Sequence, residues 1–282
     1  MKAHAFSRLS EFLKTTETFL EQNEVFNHLM LGIANRFDPE TDIPSDCLLV
    51  MITDEMGEIR LAGVQSSGKE IIINGDAEAG ACLLQYYLDQ NIPLHGMEGP
   101  RPLIEAIGKI WEEQFNGNTQ VDLEHLIYAL YEVNSLDTSP GSMRVAEPKD
   151  IDLLTQWSYD FQVDAFDESH GDLDLARKTV QTKIERKTLF VWENEGPVSM
   201  AAFARPGKTG VAINYVFTPK AFRKKGYARS LTAALSQEML NRGFSFCTLF
   251  TDVHNPTSNK IYQEVGYECK GEFLKLILSM AD

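Results

Sequence analysis

Asn255, Asn259 and Tyr262 stand at i, i+4 and i+7, after a helix-start pair (Asn255-Pro256) and before a helix stop at Gly266. That spacing predicts a short helix over 256–265 with two amides and a phenol on one face, beside the end of a strand over 246–252. Amide side chains can bond an amide-bearing chain, and a phenol can give a proton to a departing thiolate. Taken singly, each residue has a plainer reading: Tyr262 as a core aromatic, Asn255 as a helix cap.

A second pattern lies upstream. Residues 212–217 (AINYVF) are β-branched and aromatic, Thr218-Pro219 ends the run, and residues 230–242 carry Leu231, Ala234, Leu235 and Met239 at helical spacing. Gly226 therefore sits where a loop becomes a helix. The first turn of a helix leaves N–H groups unpaired, and its dipole adds partial positive charge, so successive amides there can cradle a phosphate. Lys220, Arg223, Lys224, Lys225 and Arg229 gather positive charge at this point in an otherwise acidic chain. Alone, the cluster also reads as a solvated basic loop or a nucleic-acid patch.

Together, and in this order, Arg223-x-x-Gly226-x-Ala228 and Asn255-x-x-Ser258-x-x-Ile261-Tyr262-x-x-x-Gly266-Tyr267 resemble the motifs of the GNAT superfamily of N-acetyltransferases. The resemblance covers about residues 141–282. It implies a mixed sheet whose fourth and fifth strands splay apart to admit acetyl-CoA as co-substrate, with no metal. Val216, Phe217 and Thr218 would present backbone groups to the acetyl and pantetheine arm. Arg223, Lys224, Lys225, Gly226, Tyr227, Ala228 and Arg229 would hold the pyrophosphate. Asn255 and Asn259 would line the pantetheine, and Tyr262 would protonate the thiolate. The acceptor would be an amine, on a small molecule or a peptide, and the protein a monomer or homodimer.

One departure matters. Many members carry a glutamate on the strand before the cofactor loop as general base, whereas this strand reads GVAINYV over 210–216. Asp252 or His254, at the end of the next strand, would have to serve, directly or through water. A binding module for coenzyme A without turnover, or transfer of a longer acyl group, is the alternative reading.

The net charge of −15 is unevenly spread: residues 1–140 hold 8 Lys+Arg against 23 Asp+Glu, and residues 141–282 hold 18 of each. This break, with the turn-rich run LDTSPGS at 136–142, divides the chain into domains at 1–138 and 142–282. The acidic half argues against nucleic acid as partner and would attract a cationic amine, although a solvated acidic surface is the plainer reading. No apolar run reaches membrane-span length and no signal segment opens the chain, so a cytoplasmic protein without membrane contact is expected. Cys47, Cys82, Cys247 and Cys269 are scattered, which suits buried small hydrophobes, and the dispersed histidines indicate no metal site.

The expected fold class is α/β (α+β), with two GNAT-like domains of mixed, largely antiparallel sheet flanked by helices. In the first half, a long helix over 10–35 precedes strands at 47–53, 58–65 and 69–74 and helices at 77–90 and 102–115. A short strand and loop fall in 93–100, and a strand in 124–133. That order resembles a GNAT fold without its cofactor motif, since Asn74-Gly75-Asp76-Ala77-Glu78 would repel a diphosphate. This half is expected to have a structural or substrate-shaping role. In the second half, a strand at 143–146, helices at 150–164 and 173–186, and a hairpin of 188–193 with 198–205 precede the motif region. The resemblance implies that the loop from Val163 to Gly171, with Phe166, Asp167, Glu168 and His170, borders the acceptor, where its acids could meet a cation; an exposed acidic linker is the plainer reading.

Overall fold

The computed structural model describes residues 1–165 and 171–281. In chain order the elements are β1 (Lys2–Phe6), α1 (Leu9–Glu21), α2 (Glu24–Ala34), β2 (Leu48–Thr53), β3 (Ile59–Gln65), β4 (Ile71–Gly75), α3 (Gly80–Asp89), β5 (Gly96–Pro100), α4 (Arg101–Phe115) and β6 (Gly117–Leu130). Then follow β7 (Ser142–Val145), α5 (Ile151–Ala165), α6 (Leu173–Glu185), β8 (Leu189–Glu193), β9 (Pro197–Ala204), β10 (Gly210–Phe217), α7 (Tyr227–Asn241), β11 (Phe246–Asp252), α8 (Pro256–Val265) and β12 (Glu268–Met280). This is the mixed, largely antiparallel α/β class the sequence predicts. Among the described residues, no helix is long and apolar enough to cross a membrane.

The chain forms two compact units. The first contains Met1–Ile127, Thr251–His254 and the chain from Lys270 onward, so it does not end at the linker. Its strands run in the order β1-β2-β3-β4-β5-β12. β4 and β5 are parallel, and β12 pairs antiparallel with β5 from Phe273↔Pro100 to Ile277↔Gly96. Side chains alternate across the sheet. Val50, Ile52, Leu61, Ile71 and Ile73 pack with Leu83, Ile104, Ile107, Leu274 and Leu276. Leu49, Ala62, Val64 and Ile72 pack instead with Phe12, Leu20 and Met30 of α1 and α2.

Two first-unit features depart from expectation, and a third bears on the missing cofactor motif. The helix predicted over 10–35 is two helices, broken at Gln22-Asn23, where Asn23 leaves helical geometry at φ −138°. Asn27 Nδ2 donates to the Leu20 carbonyl at 2.8 Å, which satisfies an acceptor exposed by the break. β1 and β12 have no counterpart in the sequence reading, because each is defined by a partner far along the chain. Finally, only Asp76 separates β4 from the helical turn at Ala77, and it pairs with Arg60 at 2.7 Å.

Gly117, at the start of β6, has no space for a side chain: a Cβ would lie 1.9 Å from Trp111 Nε1, whose N–H donates to the Ser279 carbonyl at 3.1 Å. Gly117→Ala should therefore destabilise the protein by about 2–3 kcal/mol through overpacking. Urea unfolding monitored by far-UV circular dichroism reads this as a lowered midpoint.

The second unit contains Tyr128–Phe250 and Asn255–Cys269. Its strands run β11-β10-β9-β8-β7, with β10 and β11 parallel and the other pairs antiparallel. From α5 and α6, Leu154, Trp157, Val180 and Ile184 pack against Leu189, Val191, Met200, Ala202 and Phe217. α7 packs over β9 and β10 through a buried stripe that includes Leu231, Leu235 and Met239. Of the loop expected to border the acceptor, Phe166, Asp167, Glu168 and His170 lie outside the described residues. No disulfide joins the four cysteines; Cys247 is buried, whereas Cys269 is exposed rather than a core residue.

Candidate active site

β10 and β11 begin as partners and then separate. Their parallel register runs from Gly210↔Phe246 to Ala212↔Thr248, yet β10 continues to Phe217 and β11 to Asp252. On its other side β10 carries a bulge: Asn214 faces Ala202 and Phe217 faces Met200, so Tyr215 and Val216 are out of the ladder. Tyr215 sits at φ +61°, a left-handed conformation that a bulky residue adopts only where its surroundings impose it. Ser199 Oγ fixes the exit of the strand, donating to the Phe217 carbonyl at 3.0 Å and meeting Thr218 Oγ1 at 2.9 Å. Tyr215 and Val216 thus stand outside the β9 ladder, beyond the last β10–β11 pair.

The loop after β10 turns into α7 through two left-handed residues, Lys224 at φ +63° and Gly226 at φ +78°, with Gly226 as the N-cap. Successive N–H groups in such a turn point toward a common centre and make an anion site at the helix start. A Cβ on Gly226 would lie 2.7 Å from Ser139 Oγ. Ser139 ties the loop down: its hydroxyl donates to the Lys225 carbonyl at 2.7 Å, and its N–H to Ser230 Oγ at 2.8 Å. The sequence reading treats Ser139 as linker; nothing local marks it as a brace.

The basic side chains are not equivalent. Arg223 Nε donates to the Thr218 carbonyl at 2.9 Å, its guanidinium lies 5.7 Å from the Phe217 ring centre, and it also donates to the Asp164 carboxylate. Arg229 pairs with Glu264 at 3.0 Å and reaches the Asp137 carbonyl at 3.2 Å. Lys225 stacks on Phe222, while Lys224 and Lys220 are exposed. Tyr227 turns inward and accepts from Asn194 Nδ2 at 2.9 Å, so near the loop it offers only backbone, as does Ala228.

α8 forms over the predicted span. Asn255 caps it, its side chain accepting from the Ser258 N–H at 3.0 Å, and Gly266 ends it at φ +114°. The Asn255 amide oxygen is thereby committed, which leaves its NH₂ as donor. Asn259 follows one turn on, its N–H bonded to the Asn255 carbonyl at 3.1 Å. Tyr262 is 8% exposed, with its ring 6.3 Å from Tyr128 and 5.9 Å from Tyr267. Burial pushes its phenol up to about 12, so it stays protonated through neutral pH.

Asp252 and His254 are placed differently. They belong to the first unit; Asp252 Oδ1 accepts from the His254 N–H at 2.7 Å, and His254 Nε2 lies 3.2 Å from Glu124. Among the described residues, no group of three or more His, Cys, Asp or Glu is placed to hold a metal ion.

Comparison with known proteins agrees with this geometry. Residues 152–267 match the model of the acetyltransferase (GNAT) family. No curated protein matches the chain by sequence. Among solved structures, a GNAT-family acetyltransferase from Colwellia psychrerythraea has a TM-score of 0.61 at 11% identity, covering 99% of both chains. A GCN5-related N-acetyltransferase from Sphaerobacter thermophilus gives 0.58 at 13% identity, covering 88% of this chain and 89% of its own. One from Kribbella flavida gives 0.53 at 14%, covering 77% and 86%. At these identities the likeness is one of fold, and in the first case it extends over nearly the whole chain. The parted strands and the glycine-capped helix both lie within residues 152–267, the stretch that is similar to the acetyltransferase (GNAT) family.

Proposed function

We propose that the second unit transfers an acetyl group from acetyl-CoA to an amine by direct attack on the thioester. The observation that carries this reading is the separation of β10 from β11 beside a glycine-capped helix start. The diphosphate sits on the N–H groups from Lys225 to Arg229, with Arg223 and Lys224 beside them. The pantetheine runs between the strand end at Val216 to Thr218, where Val216 stands outside the β9 ladder, and the amides of Asn255 and Asn259. A neutral amine forms the new C–N bond, the C–S bond breaks, and Tyr262 donates to the departing sulfur. The proton released by the amine leaves through water, because Asp252 and His254 are engaged with each other and with Glu124. In the first unit, the single residue between β4 and the following helical turn leaves no loop to wrap a diphosphate, so we assign it a structural or substrate-shaping role.

The test is thiol release from acetyl-CoA in the presence of a panel of primary amines. Tight binding of coenzyme A with no turnover of any amine would make the unit a binding module instead. Arg223 must leave Asp164 to reach a diphosphate, so Asp164→Asn should tighten coenzyme A binding about two- to fivefold, the range for a partly exposed ion pair. The gain should shrink with added salt when followed by calorimetry.

A further inference from the structure

Lys183, near the end of α6, turns inward: its ammonium lies 5.0 Å from the centre of the Tyr215 ring. That ring is the bulge residue of β10, held by Ser158 through its hydroxyl and by Phe161 at 5.2 Å. Burial pushes the Lys183 ammonium down to about 8, and the charges of Arg205 and Arg186 add to the shift. Sheltered lysines ordinarily bring a carboxylate with them. Lys275 in the first unit does so, with Glu70 at 2.8 Å and Asp122 at 2.9 Å. Among the described residues, no carboxylate pairs with Lys183. The same bulge also holds the buried Oδ1 of Asn214, which has no hydrogen-bond partner among the described residues and needs an N–H donor. A concentration of positive charge and an open acceptor thus lie at the bulge of β10.

We infer that the acceptor amine carries an anionic group, a carboxylate or a phosphate, which seats on Lys183 beside the Tyr215 bulge. This rests on the acyltransferase reading of the second unit and names its substrate class. It reverses the expectation of a cationic acceptor drawn from the acidic charge of the chain. Lys183 acts here as a specificity residue: its ammonium meets the anion while the amine end extends toward the thioester. The Tyr215–Ser158 contact keeps the platform rigid, so selection depends on charge rather than on a conformational change.

Four amines with the same two-carbon spacer test this: β-alanine and phosphoethanolamine against ethanolamine and ethylenediamine. Binding to the coenzyme A complex is read by calorimetry, and acetylation by thiol release. The two anionic amines should bind about tenfold or more tightly than the other two. Lys183→Met should erase that preference and Lys183→Arg keep it, with coenzyme A binding unchanged in both as the check on folding. A preferred phosphoethanolamine identifies phosphate, and a preferred β-alanine carboxylate. Ethylenediamine binding as well as either anion, or a preference that survives Lys183→Met, overturns the inference. Absence of turnover with every amine while the anion preference persists overturns the acyltransferase reading instead.

Discussion

The Gly226→Asp protein should bind coenzyme A on the order of a hundredfold more weakly than the parent, or not measurably. Two effects combine. Position 226 is left-handed at φ +78°, which costs a residue with a Cβ about 1–2 kcal/mol, and that Cβ would lie 2.7 Å from Ser139 Oγ. The carboxylate then adds negative charge at the helix N-terminus proposed to hold the diphosphate. The comparison with Gly226→Ala separates the two. Alanine keeps the strain and omits the charge, so its loss should be about tenfold, and Ser139→Gly should restore part of it by clearing the contact. Calorimetry on all three variants, with circular dichroism as a control for folding, makes the measurement. Coenzyme A affinity unchanged by the aspartate would remove the diphosphate from the start of α7.

The second large effect belongs to Tyr262. Tyr262→Phe should lower kcat about a hundredfold while leaving coenzyme A affinity nearly intact, because in the proposed mechanism the hydroxyl acts on charge that appears only as the C–S bond breaks. The raised phenol, at about 12, refines the role. A thiol titrates near ~8.5, so complete proton transfer from Tyr262 to a free thiolate is uphill by roughly three units. Its contribution is therefore strongest as a hydrogen bond to the sulfur in the transition state, with the proton restored from solvent. Activity should accordingly show no titration of Tyr262 below about pH 11. Equal kcat in the two proteins would return Tyr262 to the aromatic cluster with Tyr128 and Tyr267.

The parts of this site that could be read in the sequence share a physical property: their signals are local. The span of α8 follows from a cap, a proline and a glycine within a dozen residues, and the bounds of β10 and β11 from short β-branched runs. The start of α7 lies three residues earlier than periodicity suggests, because Tyr227, Ala228 and Arg229 join the helix behind Gly226. What escaped depends on distant partners. Tyr215 reads as an ordinary strand residue, and only its mismatch with β9 makes it a bulge. Asp164 shows no sign of meeting Arg223, nor Lys183 of lying over an aromatic ring. In the first unit the sequence points to one long helix over 10–35, but the side-chain amide of Asn27 supports two.

The strand β12 bears on how the protein is made. Three leucines of the first unit's core, Leu274, Leu276 and Leu278, and the carbonyl that accepts from Trp111, lie beyond Lys270 in the chain. A ribosome delivers these residues only after the whole of the second unit has been synthesised. Until then β5 presents an unpaired edge and the layer beneath α4 lacks its leucines, a state that invites pairing with other strands. The second unit can therefore fold while its predecessor is still waiting, so the order of completion runs opposite to the order of synthesis.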